Sequence, residues 1–120
     1  MKNAFTSLFL VYLTLFSINT VFAQDPVKVS PDHYKVIFEN SEVRVLQMTM
    51  KPGESDKMHS HPALTAYIEK GGKLKVHFAD GKEKEIEAAD GVALYQEAVT
   101  HWVENIGTTN IRIIVIENKK

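Results

Sequence analysis

The stretch at residues 52–72, PGESDKMHSHPALTAYIEKGG, decides the fold. It sets His59 and His61 one residue apart. A β-strand alternates its side chains between two faces, so i and i+2 point the same way. At about 3.3 Å per residue their Cα atoms stand roughly 6.5 Å apart. Two imidazoles at that separation can converge on one metal ion. A solvated polar turn is the competing reading of the pair. A Pro52-Gly53 turn precedes it, an apolar run follows, and Gly71-Gly72 turns the chain again.

Outward from this stretch the signals are all β. Residues 34–38 (YKVIF) form a short apolar run, and residues 43–50 (VRVLQMTM) are rich in apolar and β-branched side chains. Residues 64–69 (LTAYIE) follow the histidine pair. In residues 73–79 (KLKVHFA), Leu74, Val76 and Phe78 share one face, and Lys73, Lys75 and His77 face solvent on the other. Asp80-Gly81 predicts a type I′ hairpin, with positive φ at both central positions. Residues 82–87 (KEKEIE) read as a charged, exposed strand. Residues 92–96 (VALYQ), 101–105 (HWVEN) and 111–117 (IRIIVIE) complete the set. About eight short, regularly spaced strands point to a sandwich or barrel. Residues 24–33 (QDPVKVSPDH), with two prolines, read as an extended lead-in, with His33 structural or exposed.

Composition narrows the setting. Residues 1–23 have Lys2 near the start, an apolar core at residues 8–16 (LFLVYLTLF), and small Val21 and Ala23 at the end. That layout predicts a secretory signal peptide, with the mature protein exported to a periplasm or beyond the cell. A membrane anchor over residues 3–24 is the alternative, but Ser17, Asn19 and Thr20 interrupt its apolar end. With the leader removed, no membrane partner is expected. What remains, residues 24–120, is one small domain. The formal net charge is −1, and no basic patch or aromatic platform suggests a nucleic-acid partner. With no cysteine, the chain has neither disulfides nor thiolate ligands. Its stability must come from a packed core, with or without metal or a partner subunit.

A third histidine stands about forty residues on, in residues 91–105 (GVALYQEAVTHWVEN). With Gly53-(five residues)-His59-Ser60-His61, this resembles the cupin family of small β jelly rolls. The family's first motif is Gly-x5-His-x-His-x3,4-Glu-x6-Gly, which Gly53, His59, His61 and Gly72 match. The second is Gly-x5-Pro-x-Gly-x2-His-x3-Asn, which His101 and Asn105 match. The resemblance runs over residues 34–117, the expected cupin domain. The departures are specific. The family's glutamate position falls on Thr65 or Ala66, its proline on Gln96, the glycine before the histidine on Ala98, and the first glycine is shifted to Gly91.

The resemblance implies an all-β double-stranded β-helix, or jelly-roll barrel. It also implies one divalent transition metal (Fe, Mn, Ni, Cu or Zn) held by His59, His61 and His101 without the glutamate. Three neutral imidazoles suit these metals, and three ligands with open positions are the pattern of a catalytic site. Strand parity makes Gln47, Thr65, Tyr67, Tyr95 and Gln96 the substrate-binding candidates. Asn105 is expected to fix backbone rather than touch metal. No catalytic residue is assigned. The expected function is to act on, or simply bind, a small oxygen-rich molecule, as a metal-dependent dioxygenase or isomerase or as a non-catalytic module. A metal-free scaffold is the third reading. The family resemblance further implies a homodimer.

Overall fold

The computed structural model describes residues 24–120; the expected leader lies outside them. One helical turn, α1 (Pro26–Val29), leads in. Nine strands follow: β1 (Tyr34–Glu39), β2 (Val43–Met50), β3 (His59–His61), β4 (Leu64–Lys70), β5 (Gly72–Phe78), β6 (Glu83–Ala88), β7 (Ala93–Gln96), β8 (Val99–Asn105) and β9 (Ile111–Asn118). They form two sheets, ordered β1-β2-β9-β4-β7 and β3-β8-β5-β6. Every pairing is antiparallel. This is the all-β jelly-roll architecture that the resemblance implies, within the sandwich-or-barrel class that the strand pattern predicts.

Alternation builds the core. On β9 the burial follows a strict period of two, with Ile111, Ile113 and Val115 inside. Leu46, Met48 and Met50 of β2 and Leu64, Ala66 and Ile68 of β4 flank them. Leu74 and Val76 of β5 and Val103 of β8 close the core from the other sheet. Each such side chain, fully buried, contributes about 1.5–3 kcal/mol. A chain without disulfides rests on that sum.

Three local features differ from expectation. Residues 24–33 are not simply extended. Asp25 caps α1 by accepting from Val27 N at 3.0 Å, and Pro26 occupies the first turn, where its missing N–H costs nothing. The Asp80-Gly81 turn is not type I′, because only Gly81 has a positive φ, at 89°. Gly81 N donates to Phe78 O, and Phe78 N to Lys82 O. That geometry fits a type I turn closed by a left-handed glycine. His77 lies on the outer face, but it is half covered by Trp102, its cross-strand neighbour. The two rings stack at 3.6 Å with 2° between their planes.

The extra strand matters most. His59-Ser60-His61 is a strand in its own right, paired with β8 so that His59 stands opposite His101. The turn before it depends on Gly53, whose φ of 81° suits glycine and disfavours other residues. Asn105 secures the same end of the barrel. Its amide donates to Met50 O at 2.9 Å and Thr109 O at 2.8 Å, and its carbonyl accepts from Gly107 N. It fixes backbone, as expected.

Candidate metal centre

β3 turns His59 and His61 inward, and β8 turns His101 to meet them. All three are buried. One ring nitrogen from each lies within 4.8 Å of the others. Ring centroids are 4.7 Å apart for His59–His61, 4.9 Å for His59–His101 and 5.5 Å for His61–His101.

The hydrogen bonds select tautomers. His59 Nδ1 lies 2.7 Å from Lys57 O, which can only accept, so Nδ1 carries the proton and Nε2 keeps its lone pair. His61 Nδ1 lies 2.6 Å from Glu117 Oε2. Glu117 is a carboxylate with its pKa lowered: burial pushes it up, but the hydrogen bonds from His61 and Arg44 outweigh that. It therefore accepts from His61 Nδ1, which leaves Nε2 as the ring nitrogen that Glu117 does not engage. His101 Nδ1 is buried with no hydrogen-bond partner among the described residues. An orphaned buried nitrogen costs about 1–3 kcal/mol unless something occupies it.

Burial also keeps two of the rings neutral. Desolvation, reinforced by the neighbouring imidazoles, pushes His59 down to about 4 and His101 down to about 3. Metal ligation requires this form. Free lone pairs, neutral rings and an orphaned nitrogen together fit a divalent transition metal.

Two buried carboxylates sit behind the histidines, and sequence reading assigned neither to the site. Glu117 lies on β9, and Asp56 in the loop before β3. Asp56 accepts from Val103 N at 2.7 Å and Tyr34 Oη at 3.0 Å. Burial pushes its carboxyl up to about 6, against those hydrogen bonds. Tyr34 Oη also stands 3.4 Å from His59 Nε2. Burial first, and the charge of Asp56 second, hold the phenol well above its ordinary value. One signal for Glu117 was readable: it continues the inward parity of Ile111, Ile113 and Val115. Nothing in the local sequence marks Asp56 or Tyr34, whose roles come from contacts over 22 and 25 positions.

The histidines open onto a cavity of about 110 Å³. His61, His101 and Tyr34 reach its wall, and His59 does not. Of the five binding candidates only Gln96 lines it. Gln47 opens onto a shallow surface groove with Asp32 and Lys35. Thr65 alternates with the buried Leu64 and Ala66, so it points away from the cavity. Tyr67 and Tyr95 are exposed on the outside. The remaining wall is aliphatic, including Met48, Leu64, Ile68, Val76, Leu94 and Val115. Of the two positions where the resemblance placed a glutamate, Ala66 lines the cavity and Thr65 does not.

Comparison with known proteins agrees with this fold. A family profile described as "Cupin domain" matches residues 46–117. No curated protein matches the chain. A solved cupin domain from Bordetella pertussis Tohama I is 25% identical, with a TM-score of 0.67 over 72% of this chain and 92% of that one. An RmlC-like cupin from Methanocaldococcus jannaschii is 16% identical, with a TM-score of 0.59 over 71% and 77% of the two chains. A predicted oxalate decarboxylase from Thermotoga maritima is 23% identical, with a TM-score of 0.52 over 71% and 78%. The last two likenesses concern the fold alone.

Proposed function

As this chain belongs to the cupin family, we propose that it is an exported protein holding one divalent transition metal on His59, His61 and His101, and that a small ligand binds there through oxygen. The observation that carries this is the buried triangle of imidazoles, two of which have their Nδ1 protons committed elsewhere. When bound, the metal supplies a Lewis acid for an oxygen ligand.

The walls support a size and a polarity for that ligand. A volume of about 110 Å³ suits a small molecule. Each polar group set against aliphatic wall without a partner costs about 1–3 kcal/mol. The ligand therefore carries its oxygens at the histidine end and its apolar part along Leu64, Val76 and Val115. Gln96 is the one amide on the wall that can orient it. Tyr34 keeps its proton at neutral pH and commits it to Asp56, so towards the cavity it presents its oxygen as an acceptor for a ligand hydroxyl.

Turnover is the second reading, as an oxygenase or isomerase, and the Tyr34–Asp56 pair favours it by placing a phenol at the cavity wall that can take up a ligand proton as it passes its own to a buried carboxylate. We also propose a homodimer built on β1. This strand is the outer edge of its sheet and exposes Val36, Ile37 and Phe38.

Elemental analysis and metal titration of the protein purified without chelator or histidine tag test the central reading. About one equivalent of Fe, Mn, Ni, Cu or Zn is expected. His61→Ala should abolish uptake. A protein that takes up none of the five metals, or a His61→Ala variant with full stoichiometry, overturns it.

A further inference from the structure

A chain of four charged or polar side chains runs from the start of the described chain to the candidate metal ligand His61. Asp25 grips Arg44 with both oxygens: Arg44 Nη1 donates to Oδ2 at 2.7 Å and Nη2 to Oδ1 at 3.0 Å. Arg44 Nε donates to Glu117 Oε1 at 2.8 Å. Glu117 Oε2 then accepts from His61 Nδ1 at 2.6 Å. The side chain of Glu117 is 3% exposed, that of Arg44 18% and that of Asp25 26%. The chain thus runs from half-buried surface to deep interior. The backbone is tied at the same place: Ser60 N, between the two ligand histidines, donates to Gln24 O at 2.8 Å.

From this geometry we infer that Asp25 is a positioning residue for the metal centre, acting through Arg44 and Glu117 to fix the ring and tautomer of His61. A guanidinium is a rigid fork. Anchored at one end by a bidentate carboxylate, it can present its Nε in only one direction. Glu117 is thereby held in one rotamer, with Oε1 spent on Arg44 and Oε2 facing His61. A carboxylate so held commits the Nδ1 proton and leaves Nε2 aimed inward. Without Asp25, the Arg44 fork can turn to solvent, and Glu117 can follow it away from His61. The first two residues of the described chain therefore act as a strap. Docking them completes the site by two routes, backbone at Ser60 and charge at Arg44. The inference rests on the metal-binding reading for its effect on affinity, but not for its effect on the His61 ring.

Two measurements on Asp25→Asn, with Asp25→Glu as the conservative variant, test it. The first is Co²⁺ titration followed by visible absorption. The second is the ring nitrogen spectrum of His61 in metal-free protein. Partners of ligating histidines are worth 10–100-fold in metal affinity, and Asp25 stands two links further back. Asp25→Asn should therefore weaken Co²⁺ binding about tenfold, shift the cobalt bands and remove the fixed Nδ1–H signature of His61. Asp25→Glu should restore most of each. Arg44→Lys, which keeps the charge but cannot bridge both carboxylates, should match Asp25→Asn. A merely structural cluster would lower the melting temperature and leave the bands and the ring spectrum alone, which overturns the inference. Co²⁺ affinity within twofold of the parent in both Asp25→Asn and Arg44→Lys also overturns it. If the parent protein takes up no Co²⁺ or other divalent metal, the metal reading fails. The ring spectrum then decides alone: a lost signature in Asp25→Asn supports the strap, and an unchanged one refutes it.

Discussion

His59 and His101 are imidazoles folded into a place where charge is costly, and pH measures that cost. Both have folded pKa values, about 4 and about 3, below the unfolded value near 6.5. The unfolded chain therefore binds their protons first as pH falls. Their contribution is whole above about pH 6.5 and is lost as pH drops towards 4 and 3. Asp56 has the opposite sign. Raised to about 6, it protonates first in the folded state and returns some stability between about pH 6 and 4. Two histidines outweigh one carboxylate, each tenfold change in proton affinity being worth about 1.4 kcal/mol. Metal-free protein should thus lose about 2–4 kcal/mol between pH 7 and 4. Urea unfolding across that range checks it, and His101→Gln should flatten the dependence. An equally steep loss in that variant contradicts the assignment. At this scale the legibility was uneven. The His59–His61 pair was readable because its spacing is a local property, and His101 joined it through the family motif. The Asp56–Tyr34 and Asp25–Arg44–Glu117 contacts were not, because the chain must close on itself before those residues meet.

At the scale of the element, alternation did most of the work. β2, β5 and β9 bury the residues that a period of two selects. β3 was harder to read. Three residues carry too little apolar pattern to declare a strand, and its identity comes from pairing with β8. The one-turn helix α1 was missed for a related reason: four residues show no helical period. Parity misled for four of the five binding candidates, because alternation gives two faces and not which one is inside. β1 carries the element-scale prediction. Its pattern is exposed from Lys35 to Glu39, and an unpaired edge of that kind invites a second copy. Light scattering should find a dimer, and replacing Ile37 and Phe38 together by Lys should give a monomer with an unchanged fold. A monomeric parent protein at tens of micromolar refutes the pairing.

For the whole molecule, stability and function converge on the same three rings. The barrel is small and has no disulfide, so a metal bound only by the folded state should stabilise it appreciably. At a free concentration about 100 times Kd the gain is about 2.7 kcal/mol. For a domain of this size that raises Tm by about 10–20 °C. Melting curves with Zn²⁺, Ni²⁺, Cu²⁺, Mn²⁺ or Fe²⁺, reversed by chelator, measure it. A Tm unmoved by all five contradicts a metal held in the core. The amino-acid sequence alone determined the fold class and the candidate ligands. Strand alternation, turn residues and the His59–His61 spacing are short-range properties, each written within ten or so positions, and His101 was added by its match to the family's second motif. Only the tertiary structure decided what stands behind the ligands and what walls the cavity. Those groups come from strands far apart in the chain, and burial, which sets their charge and their hydrogen-bond partners, exists only once the two sheets have closed.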